Sequence, residues 1–171
     1  MTATMIDRPT AVIQDVCAAN AKQAFGHFPS GVVAVGAMLD GSPAGFAASS
    51  FTTVSWEPAL VSICVQRNSK TWAALSGQDR IGISVLSERQ GELAFQLSSR
   101  NRDRFAGLDW EPSDQGALFI GGAVAWMDCS VYQEIPAGDH SIVIFKVHGL
   151  GTAEESPLVY HRQTVRKMVT A

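Results

Sequence analysis

The sequence predicts a mainly β fold with peripheral helices, a small barrel or sandwich whose closure hides strand edges. Two observations carry this. From Gly31 onward, short apolar runs such as Leu60 to Val65 and Ile81 to Leu86 are broken at short intervals by turn residues. Helical periodicity is confined to three stretches.

The chain reads as one domain: residues 1–10 form a flexible polar leader and residues 11–171 the folded unit. Val12 to Phe28 is expected to be helical, because Ile13, Val16, Cys17, Ala21, Ala24, Phe25 and Phe28 share one face before Pro29 stops it. Val32 to Leu39 is the first strand, Asp40-Gly41-Ser42-Pro43 a hairpin turn, and Ala44 to Ser50 the return strand. Leu60 to Val65, continuously apolar, is expected to be covered on both faces. Ser69 to Ser76 forms a short helix capped by Asn68 or Ser69, with Trp72 in the core. Ile81 to Leu86 is a strand. Ser87-Glu88-Arg89-Gln90 has the form of a capping box opening a helix with Leu93, Ala94 and Leu97. Ala123 to Gln133 alternates, with Ala123, Ala125, Met127, Cys129 and Val131 on one face. Ser141 to Val147 is β-prone, and Leu158 to Tyr160 is a short last strand.

Composition excludes several classes. Apolar residues make up 46% and charged ones 17%, which rules out a disordered chain and implies surface buried against a partner or second copy. A net charge of −3 lacks the cationic surplus of a nucleic-acid binder. No apolar run approaches the ~20 residues that span a bilayer. The start, Met1 to Thr10, lacks the apolar core of a secretion signal, so a cytoplasmic location is expected. Cys17, Cys64 and Cys129 lack metal or redox spacing and read as small buried apolar residues in a reducing compartment.

Common catalytic signatures are missing as well. There is no Gly-x-Ser-x-Gly elbow, and Arg67-Asn68-Ser69-Lys70-Thr71 lacks the glycines of a phosphate loop. Gly149-Leu150-Gly151 is followed by Glu154 where a dinucleotide fingerprint needs glycine. His27, His140, His148 and His161 have no metal-ligand spacing.

Three features stand out, each with an ordinary structural explanation beside the functional one. Gly45 to Ser55, rich in small and hydroxyl residues, leaves backbone amides and hydroxyls free to meet a flat, polar-edged ligand, or is merely a strand end and polar loop. Asn68-Ser69-Lys70-Thr71 gathers amides, hydroxyls and an ammonium suited to a monophosphate, with Ser98-Ser99-Arg100 and Arg102 as a second cationic arm; alternatively it is a plain helix cap. Gly138-Asp139-His140 is a plain turn, with glycine supplying an unusual backbone angle and Asp139 an Asx-type bond, or it sets an imidazole at a strand mouth beside an orienting carboxylate.

Taken in order, Phe28-Pro29-Ser30-Gly31-Val32, Gly45 to Ser55 with Glu57-Pro58, Asn68 to Thr71, Val85 to Glu88 with Gln90, Arg104-Phe105-Ala106-Gly107, Gly138-Asp139-His140 and Pro157-Leu158-Val159-Tyr160 make the chain resemble the flavin reductase-like family. Each motif is weak alone; seven in order are specific. That family includes the reductase components of two-component flavin-dependent monooxygenases. The resemblance implies a homodimeric split β-barrel holding FMN, or FAD, near the subunit interface. It implies that Gly45, Phe46, Ala47, Ala48, Ser49 and Ser50 line the isoalloxazine and ribityl region, with Phe51 and Cys64 also at the cofactor. By the same match Asn68, Ser69, Lys70 and Thr71 hold the phosphate with Ser98, Ser99 and Arg100, and Phe105 packs nearby. Gly138, Asp139 and His140 carry over to NADH, or NADPH, with His140 as the catalytic residue.

The implied activity is NAD(P)H-dependent flavin reduction that supplies a separate monooxygenase. The alternative is a split barrel that carries flavin or haem without turnover. Ala47 stands where threonine is common, Ala59 and Ala117 replace usual prolines, and Phe145 sits where glycine often follows the apolar strand. The missing hydroxyl at Ala47 is expected to weaken one flavin contact by ~1 kcal/mol, and Phe145 to narrow the space above the ring.

Overall fold

The computed structural model describes residues 15–99 and 103–168. The leader, Val12 and Ile13 of the first helical stretch, and the cations Arg100 and Arg102 lie outside the described residues.

In chain order the described elements are α1 (Ala18–Phe25), β1 (Ser30–Gly31), β2 (Val33–Leu39), β3 (Ser42–Ala48), β4 (Thr52–Trp56) and β5 (Ala59–Gln66). There follow α2 (Lys70–Leu75), β6 (Ile81–Val85), α3 (Gly91–Ser98), β7 (Trp110–Pro112) and β8 (Leu118–Ile120). The two long strands β9 (Ala125–Ala137) and β10 (His140–Thr152), then β11 (Val159–His161) and β12 (Thr164–Arg166), complete the fold. The mainly β reading therefore holds.

Seven strands form one antiparallel sheet in the order β3-β2-β6-β9-β10-β5-β4. Its two edges, β3 and β4, are consecutive in the chain and joined by three residues, Ser49 to Phe51. No ladder closes the gap among the described residues. Instead the Ser50 hydroxyl accepts from the Cys64 N–H at 2.9 Å and donates to the Cys64 carbonyl at 3.1 Å. A single side chain thus pins the crossing to β5.

Alternation sorts the strand residues into two cores. Val33, Val35 and Ala37 of β2 join Ile63, Ile81, Ile83, Val143 and Phe145 in one, against which Trp72 and Leu75 of α2 pack. Val32 and Ala34 face the other, with Leu97 of α3, Phe105, Leu118, Ile120 and Leu158. Residues 32–37 are buried on both faces, which explains an apolar run without polar alternation.

The Asp40-Gly41 hairpin forms as expected: Leu39 pairs with Ser42, and both turn residues have positive φ, 48° and 79°. Trp72 is buried as anticipated. Other expectations need correction. The first helix spans Ala18–Phe25 only, because His27 and Phe28 donate to Ala24 and Phe25 in a tighter terminal turn. Its apolar face is uncovered: Phe25 and Phe28 are 76% and 77% exposed. The Ser87–Gln90 box is half formed. Gln90 Oε1 accepts from the Ser87 N–H at 2.9 Å, but α3 starts at Gly91 and Ser87 is buried in a bridge to Pro157. Cys17 and Cys64 are exposed, not buried; only Cys129 matches that reading. β5 is covered on both faces only from Val61 to Ile63: Ala59 is exposed, Leu60 is half-buried, and at Cys64 the outer face opens.

β4, β7, β8 and β12 were invisible to pattern reading. They are short, and β4 is mostly exposed. β12 follows an Arg162-Gln163 turn in which both residues take positive φ with no glycine to signal it. No helix of the described residues is long and apolar enough to cross a membrane.

Candidate functional site

Beside the open edge of the sheet lies a cavity of about 800 Å³. Four parts of the chain wall it: Phe46 to Ser50 at the end of β3, Cys64 to Gln66 at the end of β5, Asn68 to Thr71 at the start of α2, and Leu97, Ser98 and Arg104 around the end of α3. His140, the first residue of β10, stands at its border.

The hairpin geometry decides which backbone groups face this space. In a two-residue hairpin the closing pair, here Leu39 and Ser42, is hydrogen-bonded, so alternate residues of β3 turn N–H and C=O away from β2. Gly45 and Ala47 are those residues. The Gly45 carbonyl accepts from Arg104 Nη1 at 2.8 Å, in agreement with that outward direction. The Ala47 amide lies on the same free edge. A side chain at residue 45 has no room: a Cβ there would run into the Val35 carbonyl, with the Phe105 ring at 2.9 Å and Gly36 Cα at 3.1 Å.

At the other wall, Ser69 caps α2 by accepting from the Trp72 N–H at 3.2 Å. The Thr71 hydroxyl accepts from Arg104 Nη1 at 3.0 Å. Lys70 is exposed beside them. Hydroxyls, an ammonium and a guanidinium make this the cationic end of the cavity. Ser98 lines it too, its hydroxyl donating back to the Ala94 carbonyl at 2.8 Å.

The β9–β10 turn supplies the third part. Ala137 pairs with His140 across Gly138-Asp139, and Gly138 has φ 64°, a conformation that favours glycine at the first position of such a turn. The Asp139 carbonyl accepts from the Arg67 N–H at 3.1 Å, tying the turn to the approach of α2. Asp139 Oδ1 lies 2.7 Å from His140 Nδ1. The bond to the imidazole, and then its charge, hold the Asp139 carboxyl below its ordinary range.

Most of the residues singled out in the sequence meet here. Phe46, Ala47, Ala48, Ser49, Ser50, Cys64, Asn68, Ser69, Lys70, Thr71, Ser98 and His140 line one cavity. Others stand behind it. Gly45 and Phe105 form its buried backing, and Ser99 contributes its carbonyl to Arg104 Nε at 2.6 Å. Gly138 and Asp139 form the turn beside it. Phe51 lines a neighbouring cavity of about 630 Å³ with Phe28 and Tyr160. Two expectations change. The Ser50 hydroxyl is committed to the Cys64 backbone rather than left for a ligand. Phe145 does not line the cavity: strand alternation turns it, fully buried, into the inner core, edge-on to Trp72 at 5.9 Å and 80°.

Sequence reasoning missed Val65, Gln66, Leu97 and Arg104 as lining residues. The Arg104-Phe105 pair belongs to a sequence motif, yet a lone arginine after a loop carries no local sign of its long-range partners.

Comparison with known proteins places the chain in a family. The model of the flavin reductase like domain matches residues 25–168. The reductase subunit HsaB of a flavin-dependent monooxygenase from Mycobacterium tuberculosis is 34% identical over 144 residues, covering 82% of this chain and 77% of that protein. A flavin reductase of Pseudomonas putida is 40% identical over 139 residues, covering 80% and 82%. Among solved structures, the NADH:FAD oxidoreductase of Streptomyces globisporus C-1027, in complex with NAD and FAD fragments, superposes with TM-score 0.83 at 29% identity, covering 88% of this chain and 92% of the other.

Proposed function

The chain belongs to the flavin reductase-like domain family and is an oxidoreductase acting on flavin with a nicotinamide nucleotide; from that premise we propose that it reduces FMN with NADH and releases the product to a separate monooxygenase. The observation that carries the reading is the single cavity in which the small-residue end of β3, the hydroxyl and ammonium groups of Ser69 to Thr71, and His140 all meet.

The residues fit such a ligand. The cavity lies within the roughly 300–1,000 Å³ range of sites that hold a cofactor-sized molecule. Its wall at Ala47 and Ala48 is low enough for a flat ring to approach the backbone. Ser69, Lys70 and Thr71 offer two hydroxyls and a cation to one phosphate. When bound, flavin supplies hydride acceptance from the nicotinamide C4 at its N5.

The protein's share is positioning. Gly45 to Ala48 fixes a plane for the ring, and the backbone amides at Ala47 and near Ser49 and Ser50 present donors toward negative charge on it. The α2 start anchors the phosphate and so restricts sliding within that plane. His140, oriented by Asp139, borders the side from which the nicotinamide nucleotide would enter. Asp139 accepts only, so the Nδ1 of His140 carries the proton, and Nε2 has no partner among the described residues. Of the four departures, Ala47 and Phe145 are the ones that favour a carrier without turnover, and burial in the core takes Phe145 away from the cavity.

A homodimer belongs to the same proposal. It is supported by apolar residues left exposed on β4, β9 and β10, among them Trp56 at 90% and Leu150 at 74%. Sedimentation analysis tests it: a single species at the monomer mass would remove it.

The test of the activity is anaerobic mixing of the protein with excess FMN and NADH, followed at ~450 nm, a wavelength set by the flavin and not by the fold. Catalytic bleaching is expected. FMN that binds and stays oxidised with both NADH and NADPH would replace the reductase with the carrier.

A further inference from the structure

One guanidinium holds together three walls of the cavity. Arg104 Nε donates to the Ser99 carbonyl at 2.6 Å, and Nη1 donates both to the Gly45 carbonyl at 2.8 Å and to Thr71 Oγ1 at 3.0 Å. These acceptors lie at the end of α3, on the free edge of β3 and in the first turn of α2. Three of the five N–H groups of the fork are thereby committed to the protein.

The bond to Thr71 has a directional consequence. A hydroxyl has one proton and two lone pairs. With a lone pair held by the cationic Arg104, the proton of Thr71 is driven away from the guanidinium. Among the described residues no protein acceptor takes it, and Thr71 lines the cavity. Thr71 is therefore set as a donor into the cavity, suited to an anionic oxygen. A lysine at 104 would carry the same charge but could not serve three acceptors from one planar fork.

We propose that Arg104 is a positioning residue for the phosphate end of the bound flavin, acting on the ligand through Thr71 by turning its hydroxyl proton into the cavity. This rests on the flavin reading above. FMN and riboflavin share the ring and the ribityl chain and differ in the phosphate, so their ratio of affinities isolates that end.

The experiment measures dissociation constants for FMN and riboflavin, by quenching of flavin fluorescence, in the intact protein and in Arg104→Gln, Arg104→Lys, Thr71→Val and the Arg104→Gln/Thr71→Val pair. The intact protein is expected to prefer FMN. Each single variant should lose about tenfold of that preference, the scale of one hydrogen bond to a charged group, and Thr71→Val, which leaves the Gly45 bond in place, should do so with riboflavin affinity nearly unchanged. The double variant should lose no more than either single one, since both remove the same donor. Losses that multiply in the double variant would overturn the proposal, as would an Arg104→Lys protein that keeps the full preference or a riboflavin affinity that falls in step with FMN. Arg104→Lys also serves where the Gln variant fails to fold. An intact protein that binds both flavins equally would remove the phosphate seat, and this proposal with it. One that binds neither would remove the flavin reading itself.

Discussion

Asp139 Oδ1 stands 2.7 Å from His140 Nδ1, and this bond orients the imidazole at the border of the cavity. The turn that brings them together depends on Gly138 at φ 64°, and the partner of His140 on β5 is Gln66, which lines the same cavity. The pair joins turn chemistry to the site.

Removing the imidazole should therefore act on turnover before it acts on binding. His140→Ala is expected to lower NADH-dependent flavin reduction by at least tenfold, in the range of a lost positioned catalytic group, while the FMN dissociation constant changes little. Equal losses in both would count against a role for His140 in the reaction. The same variant should let the Asp139 carboxyl return upward toward the ordinary carboxylate range, seen by carbon NMR of its side chain. The sign follows from linkage. A carboxyl held below its unfolded value contributes stability above about pH 4 and loses that contribution as pH falls through its folded value. Asp139 is fully solvated, so the stability change itself is small.

Gly45 has no space for even one methyl group. Gly45→Ala is expected to destabilise the protein by about 1–3 kcal/mol through overpacking against Phe105 and the β2 backbone. Urea unfolding should show a lower midpoint at unchanged slope, and flavin affinity should fall as the wall shifts. A variant with native stability would mean that the β2–β3 hairpin yields more easily than its close approach implies.

Phe145 is a core residue, whatever stands there in relatives. Phe145→Ala should cost about 3–5 kcal/mol, part of it the edge-on contact with Trp72. It should give no gain in flavin affinity. A tighter flavin complex without loss of stability would return Phe145 to the site.

The three thiols should separate cleanly under an alkylating reagent at pH 8. Cys17 and Cys64 are exposed and should be modified in the native protein. Cys129 is buried, and burial, with Asp128 adding to it, pushes its thiol up to about 12, so it should react only after unfolding. Bound FMN should protect Cys64, which lines the cavity, and leave Cys17 unprotected. Mass spectrometry of the labelled peptides reads all three. Equal labelling of Cys64 with and without FMN would place the flavin elsewhere.

Much of the fold was legible because its signals are local. The Asp40-Gly41 hairpin, the apolar run of β2, the Ser69 cap and the Gly138 turn each arise from residues within a few positions of one another. The same local signal makes the helix expected over Val12 to Phe28 longer than the Ala18–Phe25 that forms. Periodicity announces an apolar face, but tertiary packing decides whether anything covers it, and α1 has no buried residue.

What composition and pattern determined by themselves was a mainly β domain and a set of small, hydroxyl and cationic segments able to meet a flat phosphorylated ligand. Only the tertiary structure decided how those segments are used. Arg104 reaches Gly45 across 59 positions and Thr71 across 33, and Ser50 reaches Cys64 across 14. Strand alternation sent Phe145 to the core and Cys64 to the cavity. Such assignments depend on which strands pair and in which register. A one-residue slip of β10 would exchange the faces on which Phe145 and Ile144 lie, and no local stretch of sequence carries that information.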